Sequence, residues 1–459
     1  MSKPWPLTAA FDLSAGPGLV AIVGGGGKTS LLFALAEILP GNVVITTTTR
    51  IFAAQMSLAT AVLQFNHEPV LNTVEAETKG AFAAELAQLL EQAGSCLVVG
   101  TVQGDKAHGV PLQLPGQLLA RSDVDFVLVE ADGSRMRPIK APAAHEPVIP
   151  LETTLVVPVV GIDALNSPLN VTAHRPEKIA ALLNLPLDLM QQHLLTEAEI
   201  AAVLVHPAGG FKGVPSAAAV IPLINKVETA VQLQSARKIS RHLLQHPRIK
   251  QVVIGALKTK PPVVEVQRRV TAVVLAAGQS KRMGQTKQLL PWGDTTVLGQ
   301  VLRNVKKSAI HDILVISGYE AEKIEAIATA EGISTIHNPR YEFGEMLSSL
   351  QTAVTHLPPH IDAVLVILAD QPQVTPSIID QLLSAYWQGQ NKLVAPVFNG
   401  QRGNPVLIDR MHFAELLDLP VGAAPRDLLK RYPVQHVPVE MDAVLKDLDE
   451  WATYVRERP

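Results

Sequence analysis

The stretch "VVLAAGQSKRMGQTKQLLPW", Val273 to Trp292, decides how the second half of this chain is read. An apolar run with the pattern of a buried strand ends in Ala276, Ala277 and Gly278, then leads through Ser280, Arg282 and Lys287 toward a helix. A parallel strand that ends in a loop before a helix points backbone N–H groups at whatever sits above the sheet. Small residues there let a ligand lie against the backbone, and Arg282 and Lys287 can pair with phosphate oxygens. The composition suits a triphosphate whose cleavage builds negative charge. The plainer alternative is a glycine turn before a solvated basic helix start.

Four other stretches agree with the first. "VLVILADQP", Val364 to Pro372, is a buried strand ending in Asp370, a carboxylate placed for Mg²⁺ at the end of a central strand. A helix N-cap is the other reading of Asp370, although Thr375 is the better cap. In "NPRYEFGEMLSSLQTAV", Gly344 allows close approach and Ser348 and Ser349 open a helix. "GQRGNPVLI", Gly400 to Ile408, turns into a strand with the backbone at Gly403 and Pro405 free to meet a ring. Asp447 and Asp449 in "VLKDLDEWATY" are either a solvated acidic turn or, at Asp449, a second metal carboxylate.

The whole chain has 459 residues, 47% hydrophobic and 18% charged, which suits two or three domains with large cores. Strand-like runs alternate with amphipathic segments of helical length, which argues α/β with mainly parallel sheets. One series of strands runs from "LVAIV" to "QVVIGAL" and a second begins at "VTAVVLAAG". Between them "KTKPPVVEVQRR", Lys258 to Arg269, is rich in Pro and charge and reads as a linker. The expected domains are therefore 1–257 and 270–459, joined by 258–269. A net charge of −3 gives no general pull toward nucleic acid or anionic membrane, so neither is expected as a partner. The single cysteine, Cys96, excludes an internal disulfide and reads as inert core packing. The opening "MSKPWPLTAAF" lacks a charged-then-apolar signal pattern, and no apolar run reaches the length of a membrane span, so a cytoplasmic protein is expected.

The first half carries its own phosphate loop. "VGGGGKTS" holds Gly24, Gly25, Gly26, Gly27, Lys28, Thr29 and Ser30, a shortened GxxGKT form with Ile22 where the longer motif has glycine. Its glycines let backbone amides wrap a phosphate, with Lys28 on the charge and Thr29 on Mg²⁺. "FVLVEADGS" ends a strand with Glu130 and Asp132, placed for metal or water, or as a capped turn. "INKVE" brings Asn225, Lys226 and Glu228 into a pattern like the guanine-reading NKxD, or a polar helix start. "TTTTR", Thr46 to Arg50, is either a switch touching phosphate or a β-branched strand end.

From about Arg269 onward, "LAAGQSKRMGQTK", "NPRYEFGEMLSSL", "LADQPQV", "RGNPV" and "DLD" together resemble the molybdenum cofactor cytidylyltransferase family, of the nucleotidyltransferase fold. The resemblance implies a three-layer α/β/α domain, Rossmann-like and of GT-A type. It implies transfer of CMP from CTP to molybdopterin, giving molybdopterin cytosine dinucleotide and pyrophosphate. Carried over by position, Leu275, Ala276, Ala277, Gly278 and Ser280 form the nucleotide-binding turn, with Gly344, Ser348, Gly403 and Pro405 completing the nucleotide site. Arg282 and Lys287 hold phosphates, while Asp370 and Asp449 hold Mg²⁺. Guanylyl-transferring relatives read LAGG where this chain reads LAAG, so Ala277 points to CTP over GTP. The family's "GDxGAR" reads "VGAAPR" here, Val421 to Arg426, and its "DxDTPED" ending reads "DLDEWAT". Both departures fall on the pterin side.

The first half is similar to the selenium-dependent hydroxylase accessory protein family of YqeC type. "VGGGGKTSLLFALAEIL", "ITTTTRI", "VEADGSRMRPIKAPAAHEPVIP", "HRPEKIA" and "LINKVE" carry the likeness. It implies a P-loop NTPase-like parallel sheet that binds ATP or GTP and serves a molybdenum hydroxylase apoenzyme as partner. His145, Glu146, His174 and Arg175 lie in family-matching loops, the histidines as metal or pterin contacts or as structural residues. Two further readings of the chain stay open: a non-catalytic cofactor carrier, and a guanylyltransferase on the same fold.

Overall fold

The computed structural model describes residues 4–14, 16–65, 75–186, 188–190, 192–280, 283–343, 345–420 and 422–459. Two compact units divide the chain, Trp5–Gln267 and, with Pro4, Arg268–Pro459. The segment 258–269 differs from the linker expectation. Val263–Arg268 is a strand beside Gln251–Gly255, at the edge of the first unit's sheet. Val263 and Val266 are buried in the core, and Glu265 is buried against Arg237, so its charge is paired rather than solvated.

In the first unit the sheet runs, from that edge, Gln251–Gly255, Leu223–Asn225, Leu155–Gly161, Gly18–Gly24, Phe126–Glu130, Val43–Thr47, Ser95–Val99 and Val62–Gln64, and the pairings among these strands are parallel. The central strand "GLVAIVG" is apolar on both faces, as a strand covered on both sides requires. Val20 and Ile22 enter one core cluster, while Leu19, Ala21 and Val23 enter the other. Cys96 is buried in the second cluster, and burial, with Glu85 nearby, pushes its thiol up to about 11, so it is inert packing.

The second unit also has a core on each face of its sheet. Val270, Ala272 and Val274 join one cluster and Val273, Leu314 and Ile316 the other, which makes three layers. Its strand order is Ser334–His337, Asp312–Ser317, Val270–Leu275, Ala363–Leu368, Val406–Asp409, Leu393–Phe398, Gln401–Arg402. The first four are parallel, but Val406–Asp409 runs antiparallel to both of its neighbours, so the sheet is mixed.

The expected helix directly after "LAAG" is absent among the described residues. Only a 3₁₀ turn, Lys287–Leu289, precedes a short hairpin of Pro291–Trp292 and Thr295–Thr296, and the α-helix begins at Val297. Ser280 sits at φ 50° and Gly284 at φ 69°, backbone that cannot continue a right-handed helix, and Pro291 lacks the N–H that a helix interior uses. Thr296 then caps the helix by accepting from Gly299 N at 3.0 Å. Among the described residues no helix is long and apolar enough to cross a membrane.

Candidate functional site

In the second unit the ends of two adjacent parallel strands, Val270–Leu275 and Ala363–Leu368, deliver the turn Ala276–Gly278 and the carboxylate of Asp370 to one cleft. Leu275, Ala277, Gly278, Lys287, Asp370 and Asp449 line its roughly 330 Å³. Lys287 Nζ binds Asp370 and lies 2.6 Å from Asp449 Oδ1. Burial alone would lower the lysine pKa, but Asp370 and Asp449 outweigh it and hold the ammonium charged. Asp447 lines the same cleft, accepts from Gln371 Nε2 at 2.8 Å, and is pushed up by burial and then by the other two aspartates. Among the described residues three carboxylates therefore face the Lys287 ammonium, a local excess of negative charge that suits a further cation. Gln371 Oε1 is a buried acceptor with no hydrogen-bond partner among the described residues.

These groups fit Mg²⁺, which takes hard oxygen ligands and completes its shell with substrate phosphates. Among the described residues no group of three His, Cys, Asp or Glu side chains forms a cage of its own.

The remaining expected residues take other places. Arg282 and Gly344 lie outside the described residues, as does Val421. Ala276 is fully buried, its N–H donating to Ile316 O, so it shapes the turn from beneath. Ser280 Oγ accepts from Lys287 N at 3.1 Å and so braces the lysine. Ser348 is buried and accepts from Asn338 Nδ2 at 2.9 Å, whereas Ser349 reaches the cleft. Gly403 is required by packing, because a Cβ there would lie 2.2 Å from Val444 O. Pro405 is buried beside it. A Cβ at Gly318 would lie 2.7 Å from that of Ala277, so glycine at 318 is what admits alanine at 277.

Sequence reasoning missed a second cleft of about 470 Å³, lined by Arg402, Arg426, Met346 and Val406 among others. Met346 belongs to both clefts, so they adjoin. The signal was present in "RGNPV" and "VGAAPR", each of which carries an arginine.

In the first unit the loop after Gly18–Gly24 opens on a cleft of about 550 Å³, lined by Gly26, Gly27, Lys28, Thr29, Ser30 and Glu130, with Asn225, Lys226 and Glu228 on its wall. Lys28 begins the helix Lys28–Ile38 and is 3% exposed. Its Nζ donates to Gly24 O at 2.8 Å and lies 3.3 Å from Asp132 Oδ1 and 3.8 Å from Glu130 Oε1. Asp132 does not face the cleft. It accepts Gly24 N with both oxygens, at 3.1 and 3.2 Å, and clamps the loop from below. Gly25 N donates to Val159 O, so Gly24 and Gly25 shape the loop without lining the cleft. Glu130 accepts from Thr29 Oγ1 at 3.2 Å, and burial pushes its pKa up against the attraction of Lys28.

A buried chain of alternating charge leads away from Lys28. Asp132 Oδ2 is 3.1 Å from Lys140 Nζ, Lys140 is 2.9 Å from Glu146 Oε2, and Glu146 is 2.8 Å from Arg175 Nη1. Sequence reasoning named Glu146 and Arg175 but not Lys140, which joins them to the phosphate loop. Burial favours the neutral acid at Glu146, but the bonds and charges of Lys140 and Arg175 hold it at about 2. His174 sits in a strand paired with Ile139–Lys140, and burial followed by Arg175, Lys140 and Arg135 lowers it to about 4. His145 is exposed.

Asn225 has its side chain engaged within the protein: Nδ2 donates to Gly26 O at 2.9 Å and Oδ1 accepts Leu257 N at 3.1 Å. It therefore ties the far strand end to the phosphate loop. Lys226 pairs with Asp163 at 2.7 Å, while Glu228 remains on the cleft wall. In "TTTTR" the hydroxyls of Thr46, Thr47 and Thr48 donate to Val98 O, Glu130 O and Val148 O, which leaves Arg50 on the cleft.

Residues 20–177 match the family model described as YqeC protein, and residues 272–437 match that of the MobA-like NTP transferase domain. The YqeC protein of Escherichia coli K12 is 30% identical over 264 residues, 56% of this chain and 95% of that one. The molybdenum cofactor cytidylyltransferase of the same organism is 28% identical over 181 residues, 39% of this chain and 91% of that one. A crystal structure of a Rv0371c homolog from Mycobacterium sp. strain JC1 is 30% identical, covering 41% of this chain and 94% of that one at a TM-score of 0.37.

Proposed function

Since the chain belongs to the YqeC family in its N-terminal half and carries a MobA-like NTP transferase domain, a nucleotidyltransferase, in its C-terminal half, we propose that it transfers CMP from CTP to molybdopterin. The observation that carries the reading is Lys287 held between Asp370 and Asp449 at the mouth of the Ala276–Gly278 turn. Phosphoryl-type transfer needs an in-line arrangement and neutralised charge rather than covalent help. The Leu275–Gly278 backbone seats the nucleotide, and Lys287 offsets charge on the departing pyrophosphate. Mg²⁺, held by Asp370 and Asp449, would supply Lewis-acid neutralisation of the phosphates. The adjoining cleft suits the acceptor, whose phosphate Arg402 and Arg426 can pair with. An ionised phosphate attacks unaided, so no catalytic histidine is required.

Ala277, buried against Gly318, favours the smaller pyrimidine of CTP. The N-terminal half binds ATP or GTP on the loop Gly24–Ser30 and acts in maturing a molybdenum hydroxylase with the product. A soluble cytoplasmic role accords with both activities.

The test is pyrophosphate release from purified protein with Mg²⁺, molybdopterin and either CTP or GTP, with Asp370→Ala as control. CTP-specific release that is lost in the variant supports the transferase. GTP-dependent product would sink the Ala277 argument, and cofactor binding without turnover would favour a carrier.

A further inference from the structure

The cleft over the N-terminal phosphate loop has two sides. On one side of the Gly18–Gly24 strand lie Leu155–Gly161 and then Leu223–Asn225, which bring Asn225, Lys226 and Glu228. On the other lie Phe126–Glu130 and then Val43–Thr47, which leads on to Arg50, Phe52 and Leu58. One nucleoside triphosphate laid across the loop needs a base site on only one of these sides.

The second side is not an ordinary wetted rim. Phe52 is 49% exposed and Leu58 59%, both on this side of the cleft. Clustered exposed apolar side chains beside a polar floor mark a binding site more often than a chance surface. Lys106 Nζ lies 5.9 Å from the Phe52 ring centroid. Arg50 forms no ion pair or side-chain hydrogen bond among the described residues, so a cation on this side awaits an anion.

We propose that this side is a second subsite, taking a flat heteroaromatic ring that carries a phosphate ester, bound beside the nucleoside triphosphate. The proposal rests on reading the loop as a triphosphate site. Phe52 offers a ring to stack on, Leu58 an apolar edge, and Arg50 a forked match to phosphate. The acceptor of the C-terminal half has this chemistry, and a site on the same chain would receive it at high effective concentration.

One side chain joins the two subsites. Gln55 Nε2 donates to Thr29 Oγ1 on the phosphate loop at 3.0 Å, while Gln55 Oε1 accepts Phe52 N at 3.2 Å. A nucleotide that engages Thr29 therefore acts on the backbone of Phe52, and each ligand changes the affinity of the other by the same factor.

Equilibrium dialysis of the full chain against molybdopterin, with and without a non-hydrolysable GTP or ATP analogue, tests this. We expect two equivalents per chain. Phe52→Ala with Arg50→Gln should weaken one equivalent about tenfold or more, given the stacking and burial lost. The analogue should shift that equivalent's affinity about fivefold or more, and Gln55→Leu should abolish the shift. All three side chains are solvent-accessible in part, so the variants keep the fold. A single equivalent, lost only on Arg402→Ala with Arg426→Ala while an analogue binds normally, would overturn the proposal. Failure of both analogues to bind would overturn the loop reading and this proposal with it, and the transferase assay reports the C-terminal half independently.

Discussion

Lys287 Nζ lies 2.6 Å from Asp449 Oδ1, a contact that closes a loop of 162 residues. The same ammonium binds Asp370, so one lysine holds together two carboxylates that would otherwise repel. Replacing it by methionine should lower kcat for the proposed CMP transfer about 10²- to 10³-fold, the usual effect of removing one preorganised charge from a transferring phosphate. Lys287→Arg should not restore the rate, since a planar fork does not reproduce a compact point charge. Steady-state pyrophosphate release measures both.

The two carboxylates differ in shielding. The Asp370 side chain is 12% exposed and that of Asp449 46%. A carboxylate in water-poor surroundings acts on a cation less screened than one in solvent. Asp370→Asn should therefore raise the Mg²⁺ concentration for half-maximal activity more than Asp449→Asn does, by about tenfold against a few-fold. Titration of activity with Mg²⁺ decides it, and equal effects would contradict the assignment.

The Gly24–Ser30 loop tolerates no side chain at Gly26. A Cβ there would lie 2.1 Å from Gly161 N, and its φ is 77°. Gly26→Ala should cost about 1–3 kcal/mol in stability through forced backbone shifts and abolish nucleotide binding. Gly133→Ala is the matched control, because nothing lies within 4 Å of its added methyl. Thermal melts with and without a nucleotide analogue separate the two.

Acid should loosen the first unit in two stages. His174 is held at about 4, below its ordinary 6.5, so the folded state binds fewer protons and stability falls as pH drops from 6.5 toward 4. Glu146 is held at about 2 against an ordinary 4.5, so its contribution, complete above 4.5, is lost as pH falls toward 2. His174→Asn should flatten the first stage and leave the second. Glu146→Gln should destabilise at neutral pH by about 3–5 kcal/mol, since it leaves Lys140 buried with less compensation. Denaturant midpoints across this pH range check both.

Local pattern made the strands and the turns that close them readable in the sequence: "LVAIV", "VTAVVLAAG" and "AVLVILAD" are apolar runs closed by small or acidic residues. What local pattern did not carry was contact at a distance. The latch from Asn225 to Gly26 spans 199 residues, and nothing in "INKVE" distinguishes a side chain that grips a backbone carbonyl from one that reads a base. Lys140 was overlooked because its partners Asp132 and Glu146 meet it only after the chain folds back. "KTKPPVVEVQRR" reads as a linker because it is rich in Pro and charge, although in the fold Glu265 is buried and paired with Arg237. The helix expected after "LAAG" failed for a local reason, the left-handed backbone at Ser280.

The contact between Lys287 and Asp449 also sets a timetable. A ribosome adds about 5–20 residues per second, so Asp449 follows Lys287 by about 8 to 30 s. All of Trp5–Gln267, with Asn225 already able to reach Gly26, is made before that interval begins. In every newly made chain both partners of the Asn225–Gly26 latch thus exist before Lys287 and Asp370 gain their third partner.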